Sequence, residues 1–240
     1  MIKKLGIGIL GLLILGVVIM AAWYQIDGQP LPETNRFMDG DGYGITEFGD
    51  GGFVFSPVES NGHGLLIMHG ALIKPKSYAK TAAYFARRGY TVLLPYGVAR
   101  LSINAVDGAA EHMKEIEVQD WFVIGHSMGG YASLTLITRH RPNVKALALW
   151  AAIPPTDFSD LAIPVLFLWG DNDGLLSPER FADGKSNLPA TVEYVTVPGG
   201  NHQDFAMYSH QFFDNEGLMG WPAQIDLANE TTAEFFAESF

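Results

Sequence analysis

The 240-residue chain contains no cysteine. That excludes disulfides, a thiol nucleophile and thiolate metal sites. It suits an oxidising compartment, where a free thiol is a liability, without fixing one. Basic residues are also few: 15 Lys and Arg stand against 26 Asp and Glu, for a formal charge of -11. An acidic surface repels phosphate backbones and argues against nucleic acid as a partner. Charged residues make up only 17% and hydrophobic residues 48%, which excludes a disordered chain and a coiled coil. There is no internal repeat and no low-complexity tract. What remains suits one domain with one sizeable core.

The N-terminus is the exception to that globular composition. Lys3 and Lys4 precede an uncharged stretch from Leu5 to Trp23. About 20 apolar residues span a bilayer as a helix, so this run is at the short end of sufficient. Lysines ahead of it keep the N-terminus cytoplasmic and carry the rest of the chain to the far side. The competing reading is a cleaved signal peptide with Ala21 and Ala22 near the cut. Met20 is large for the third position before a cut following Ala22, and the run is longer than a signal core. We favour an uncleaved anchor over residues 1–23; either version exports the domain to the extracytoplasmic side. Residues 24–52 are rich in Gly, Pro and Asp and read as a linker with the first edge elements.

From residue 53 to 240 strand and helix patterns alternate. Phe53–Phe55 and Leu65–Met68 are β-like runs separated by the turn signal Asn61-Gly62. Residues 77–88 carry apolar groups at Tyr78, Ala82 and Phe85, a helical stripe ending at Gly89. Tyr90–Leu94 reads as a buried strand stopped by Pro95, and residues 103–117 as a weaker helix. Val144–Trp150 and Val165–Trp169 are continuous apolar runs of the kind central parallel strands need. Thr191–Val197 is a further strand and residues 223–239 a closing helix. The alternation predicts an α/β fold, a mostly parallel sheet with helices on both faces. In such sheets ligands bind beyond the carboxyl ends of the strands.

Three segments directly after strands carry chemistry. Gly125-His126-Ser127-Met128-Gly129 lies between the apolar run Trp121–Ile124 and the helix-like run Tyr131–Ile137. In that strand–turn–helix context Gly-x-Ser-x-Gly presents a serine hydroxyl at the tip of a sharp turn. The plainer alternative is a serine that only caps the helix. Gly170-Asp171-Asn172-Asp173-Gly174 follows Trp169, and Pro198-Gly199-Gly200-Asn201-His202 follows Val197. A serine hydroxyl is a poor nucleophile that needs a base, and the base needs a carboxylate to fix its tautomer. His126 adjoins the serine but should point away from the hydroxyl. His63, His112, His140 and His210 read as surface or packing residues. A metal site from His202, Asp204 and His210 fits no common ligand spacing. Tyr208, Phe212 and Phe213 read as core.

Over residues 53 to 240 the chain resembles the α/β-hydrolase superfamily, most closely its small lidless esterase-like members. His69-Gly70-Ala71 resembles the oxyanion turn, residues 125–130 the nucleophile elbow, residues 169–178 the acid loop and residues 199–205 the histidine loop. The resemblance implies Ser127, Asp173 and His202 as catalytic residues. Asp171 stays open as the acid, although it is closer to the strand end and suited to bonding its own loop's amides. The resemblance further implies backbone N–H groups of Ala71 and Met128 as the oxyanion hole, His69 as a shaper of that turn, a small-molecule ester as substrate, and neither cofactor nor metal. Only about a dozen residues separate the strands ending near Ala151 and starting at Pro164, so no helical lid is expected. The rival class is a non-catalytic binding protein of the cell envelope.

The N-terminal reading has its own test. Cell fractionation with sequencing of the mature N-terminus should find the intact chain in the membrane. A soluble product beginning near Ala22 or Trp23 would make the segment a signal peptide, and cytosolic protein would overturn both versions.

Overall fold

The structure is a computed structural model that describes residue 16, residues 24–49 and residues 51–239. The Leu5–Trp23 run lies outside the described residues. Among the described residues no helix is long and apolar enough to cross a membrane.

Eight strands form one sheet. They are β1 (Tyr43–Phe48), β2 (Gly52–Pro57), β3 (His63–Met68), β4 (Thr91–Leu94), β5 (Asp120–His126), β6 (Val144–Trp150), β7 (Val165–Gly170) and β8 (Glu193–Val197). Their order is β1-β2-β4-β3-β5-β6-β7-β8. β1 and β2 pair antiparallel, as do β2 and β4. From β4 to β8 every pairing is parallel. Every residue of β5 is buried, as a central strand covered on both faces requires.

Alternation along the strands divides the core into two layers. Leu65, Ile67, Phe122 and Ile124 face one side, where they meet helices α1 (Ala79–Ala86) and α5 (Gly220–Ala237). Leu66, Met68, Trp121 and Val123 face the other, against α2 (Val106–Glu115) and α3 (Met128–His140). α1 presents Ala79, Ala82, Ala83 and Ala86 to the sheet, small groups that let its backbone approach closely. α5 buries Ile225, Ala228, Thr232 and Phe236, spaced three and four apart along one face.

One strand was read only as part of the first edge elements of residues 24–52, without bounds, and one helix was not read from the sequence. β1 buries only Tyr43, so its pattern carries little period-two signal. Helix α4 (Pro178–Gly184) is short, yet it has a helix-start signature: Ser177 caps it, accepting from Arg180 N at 3.3 Å, and Pro178 opens its first turn. The segment read as a linker is fastened to the body: Pro30 bridges to Tyr208, and Leu31 N donates to Met207 O at 3.0 Å.

Candidate functional site

Ser127 is the single residue between β5 and α3, and it sits at φ 54, ψ −123. A left-handed conformation is costly for a residue with a Cβ and persists only where the surroundings enforce it. Here Ser127 N donates to Trp150 O at 2.9 Å, and Gly130 N donates to Ser127 O at 3.0 Å. The flanking glycines make the turn possible by lacking a side chain. A Cβ on Gly125 would stand 2.6 Å from Gly130 Cα, and one on Gly129 would stand 2.0 Å from Met68 O. The side chain of Ser127 makes no capping hydrogen bond to α3, so capping does not account for it.

The acid and histidine loops meet at this end of the sheet. Asp173 and His202 are both buried, and His202 Nδ1 lies 2.9 Å from Asp173 Oδ2. The other oxygen, Asp173 Oδ1, accepts from Leu175 N at 2.8 Å and Leu176 N at 2.7 Å. A carboxylate spent on three donors has little freedom to turn. The expectation for Asp171 needs correction. It does not hold its own loop's amides; its Oδ1 accepts from Gly199 N, 2.6 Å away on the histidine loop. Asp173 takes the amides of its own loop as well as His202. The two loops approach closely: a Cβ on Gly170 would stand 2.2 Å from Gly200 O.

His202 Nε2 is buried and has no hydrogen-bond partner. Ser127, Met128 and His202 line one cavity of about 600 Å³, whose walls include Tyr131, Ile153, Pro154, Pro155, Leu175 and Leu176. The residues between β6 and β7 form no helix, and three of those wall residues come from them. Ala71 is not part of the cavity lining. Its turn nonetheless abuts the elbow, since a Cβ on Gly129 would also stand 2.7 Å from His69 O. Among the described residues, neither the Ala71 amide nor the Met128 amide donates to a protein acceptor.

Sequence reasoning left His126 as structural without a partner, and Tyr78 as one position of a helical stripe. Together they form a buried chain across the site. Gly70 N–H donates to the Tyr78 hydroxyl at 2.8 Å, and that hydroxyl donates to His126 Nδ1 at 2.7 Å. His126 Nε2–H then donates to the backbone oxygen of His202 at 3.1 Å. One relay thus ties the 69–71 turn, the elbow and the histidine loop. Burial first, and then the neighbouring His202, hold His126 well below its ordinary value, so it is neutral. The second missed residue is Gln224 of α5, fully buried: its Oε1 accepts from Asn201 N at 3.0 Å and its Nε2 donates to Asn201 O at 2.8 Å. Gln224 shares the buried face of its helix with Asn229 and Thr232, so no single polar position there stood out in the sequence.

His69 shapes its turn as expected. Its Nδ1–H donates to Gly70 O at 2.8 Å, and its Nε2 accepts from Gly97 N at 3.1 Å. Burial lowers it to about 4, against the smaller opposing effect of the Gly70 hydrogen bond. The remaining histidines have local roles. His112 meets Glu115, His140 meets Asp107, and His63 Nδ1 meets Asp120. His210 Nδ1 lies 3.5 Å from Asp27 Oδ1. Among the described residues no group of three potential ligands could hold a metal ion. Tyr208 is buried, but Phe212 and Phe213 are exposed, 40% and 90%, and do not belong to the core.

The family model described as alpha/beta hydrolase family matches residues 64–226. No curated protein matches the chain. Several solved structures share the fold. Est1E from Butyrivibrio proteoclasticus is 17% identical, with a TM-score of 0.54 over 82% of this chain and 99% of its own. A serine hydrolase without lid from Xanthomonas campestris is 17% identical, with a TM-score of 0.53 over 80% of this chain and 94% of its own. Thermogutta terrifontis esterase 2, phosphorylated by paraoxon, is 17% identical, with a TM-score of 0.53 over 83% and 95%. At these identities the likeness is one of fold.

Two outcomes test this geometry. Tyr78→Phe removes the hydroxyl and leaves Gly70 N–H and His126 Nδ1 buried without partners, which should cost about 1–3 kcal/mol in urea unfolding. A loss indistinguishable from zero would show that the relay carries no energy. The neutral state of His69 gives a pH dependence. Its value is lowered in the folded chain to about 4, so between pH 6.5 and about 4 the unfolded chain binds a proton that the native state refuses. The stability from this residue is complete above pH 6.5 and falls with acidification by about 3 kcal/mol in total. His69→Gln should flatten the stability curve over that window; an unchanged slope would place the titration elsewhere.

Proposed function

The chain belongs to the alpha/beta hydrolase family, and on that premise we propose that it is a serine hydrolase cleaving carboxylic esters. One observation carries the reading. His202 Nδ1 is engaged by Asp173, while its Nε2 is unpartnered in the cavity that Ser127 lines. Such a base has its tautomer set on one side and its proton acceptor free on the other.

In the proposed reaction Ser127 Oγ attacks the ester carbonyl carbon while His202 Nε2 takes the hydroxyl proton. The carbonyl electrons move onto oxygen, and the Met128 and Ala71 N–H groups receive the charge. Met128 is the first residue of α3, so the helix N-terminus adds to that field. Loss of one such donor typically costs about 10² to 10³ in rate. The tetrahedral species then expels the alcohol, which takes the proton from His202. Water, deprotonated by the same nitrogen, releases the acid and restores Ser127. No step needs a cofactor.

The cavity supports a substrate class. Its Ile153, Pro154, Pro155, Leu175 and Leu176 walls favour a small or medium apolar group, and the short segment between β6 and β7 leaves the site accessible. Paraoxon phosphorylates an esterase of this fold, which makes organophosphorus probes the natural reagents here. We further propose that the Leu5–Trp23 run anchors the domain on the extracytoplasmic side, a reading supported by Lys3 and Lys4 ahead of it.

Three variants test the triad. Ser127→Ala should remove nearly all turnover and all fluorophosphonate labelling while the melting temperature stays close to wild type. Asp173→Asn should stay folded and lose about 10⁴ in kcat through loss of the tautomer preference. Asp171→Asn should lose stability and keep most of its activity. Full labelling of Ser127→Ala, or a folded but inactive Asp171→Asn beside an active Asp173→Asn, would overturn the assignments. An unlabelled, inactive wild type would favour the binding-protein reading.

A further inference from the structure

The residues just before the body form a strap against the turn after β3 that the triad does not explain. Gly28 adopts φ +62, and a Cβ there would stand 2.1 Å from Leu72 O, so the strap lies directly on the turn that follows Ala71. Gly28 O accepts from Lys74 N at 3.2 Å. One residue on, the strap pairs with the chain leaving the histidine loop, where Ser209 N donates to Gln29 O at 2.9 Å. One short segment therefore touches both the chain after Ala71 and the chain that leaves the histidine loop.

Arg100 joins the strap to the turn. It is 3% exposed, unusual for an arginine outside a salt bridge. Its guanidinium is spent on backbone carbonyls: Nη1 donates to Asp27 O at 2.8 Å and Leu72 O at 3.4 Å, and Nη2 donates to Tyr24 O. The plane also stacks on the Tyr24 ring, 3.8 Å from its centroid. The backbone around it is strained. Leu72, Ala99 and Arg100 have φ of 63, 59 and 56, the left-handed region that side chains disfavour. Leu72 N donates to Arg100 O at 2.7 Å, locking the two strained loops together. Strain of this kind persists only where contacts hold it.

We propose that Arg100 is a positioning residue for the oxyanion turn and that the 24–31 strap is its anchor. Ala71 is flanked by two fixed points. Gly70 N–H is held by Tyr78, and Leu72 is held at both N–H and carbonyl by Arg100. The Ala71 amide between them keeps one orientation. Arg100 touches no reacting atom; it acts through Leu72. The catalytic consequence rests on the hydrolase reading above, while the mechanical one does not.

The test uses the full-length chain with Arg100→Lys and, separately, Gly28→Ala. Lysine keeps the charge but has no planar fork to serve three carbonyls. The added methyl of Gly28→Ala pushes on Leu72 from the strap. Both should lower kcat about tenfold on an activated ester with KM within twofold. Both should also speed amide exchange at Leu72 and Ile73 at least tenfold, with exchange in β1 unchanged. Unchanged exchange at the turn in both variants, or equal acceleration everywhere, overturns the positioning role. So does faster exchange at the turn with wild-type kcat. Ser127→Ala run alongside separates the two readings: if it keeps activity, the hydrolase assignment fails, and the brace is judged by exchange.

Discussion

Ser127 is held in a backbone conformation that costs on the order of 1–3 kcal/mol for a residue with a side chain. The neighbourhood is built to impose it. The strand ends at His126, the helix begins at Met128, and no residue is available to spread the reversal. The turn closes because Gly125 and Gly129 let backbone meet backbone at distances no Cβ allows, and Gly130 leaves room for the Ala152 side chain. Bringing α3 that close to the end of β3 also sets the 69–71 turn against the elbow. One strained residue thus dictates where the hydroxyl points and which amides stand near it.

The same constraint explains the use of buried polar groups. Loops crossing the end of a sheet leave N–H and C=O groups without ladder partners, and burying them unpaired is expensive. His69 and His126 answer this as neutral rings, each donating at one nitrogen and accepting at the other. His202 differs in its partners: a carboxylate at Nδ1 and no hydrogen-bond partner at its buried Nε2. The three histidines therefore divide into two structural linkers and one ring with an unpartnered nitrogen. The separation comes from partners, since all three are buried.

Most of the architecture was legible because burial on both faces writes a strong signal. Val144–Trp150 is read at its observed bounds, a continuous apolar run after Pro142 and Asn143. β8 is a half-exposed edge and begins two residues later than its pattern suggests, at Glu193. The positions after strands gave the candidate residues, but partners depend on how separate loops fold toward each other. The sequence could not show that one carboxylate, Asp173, serves both its own loop and His202, while Asp171 reaches across to Gly199. Gln224 was hidden among the polar positions of its helix, such as Asp226, Asn229 and Glu230, and Phe213 misled because a bulky aromatic is more often inside than 90% exposed.

The strap changes how the N-terminal part of the chain relates to the site. A flexible tether would leave the domain free to turn beneath any anchor. Here residues 24–31 are fixed by Arg100, by Lys74 N and by pairing with the chain after His202. Tyr24, where the described strap begins, is thereby held against Arg100 in the loop after β4. The strap is thus part of the scaffold that braces the 69–71 turn, although none of residues 24–31 lines the cavity that holds Ser127.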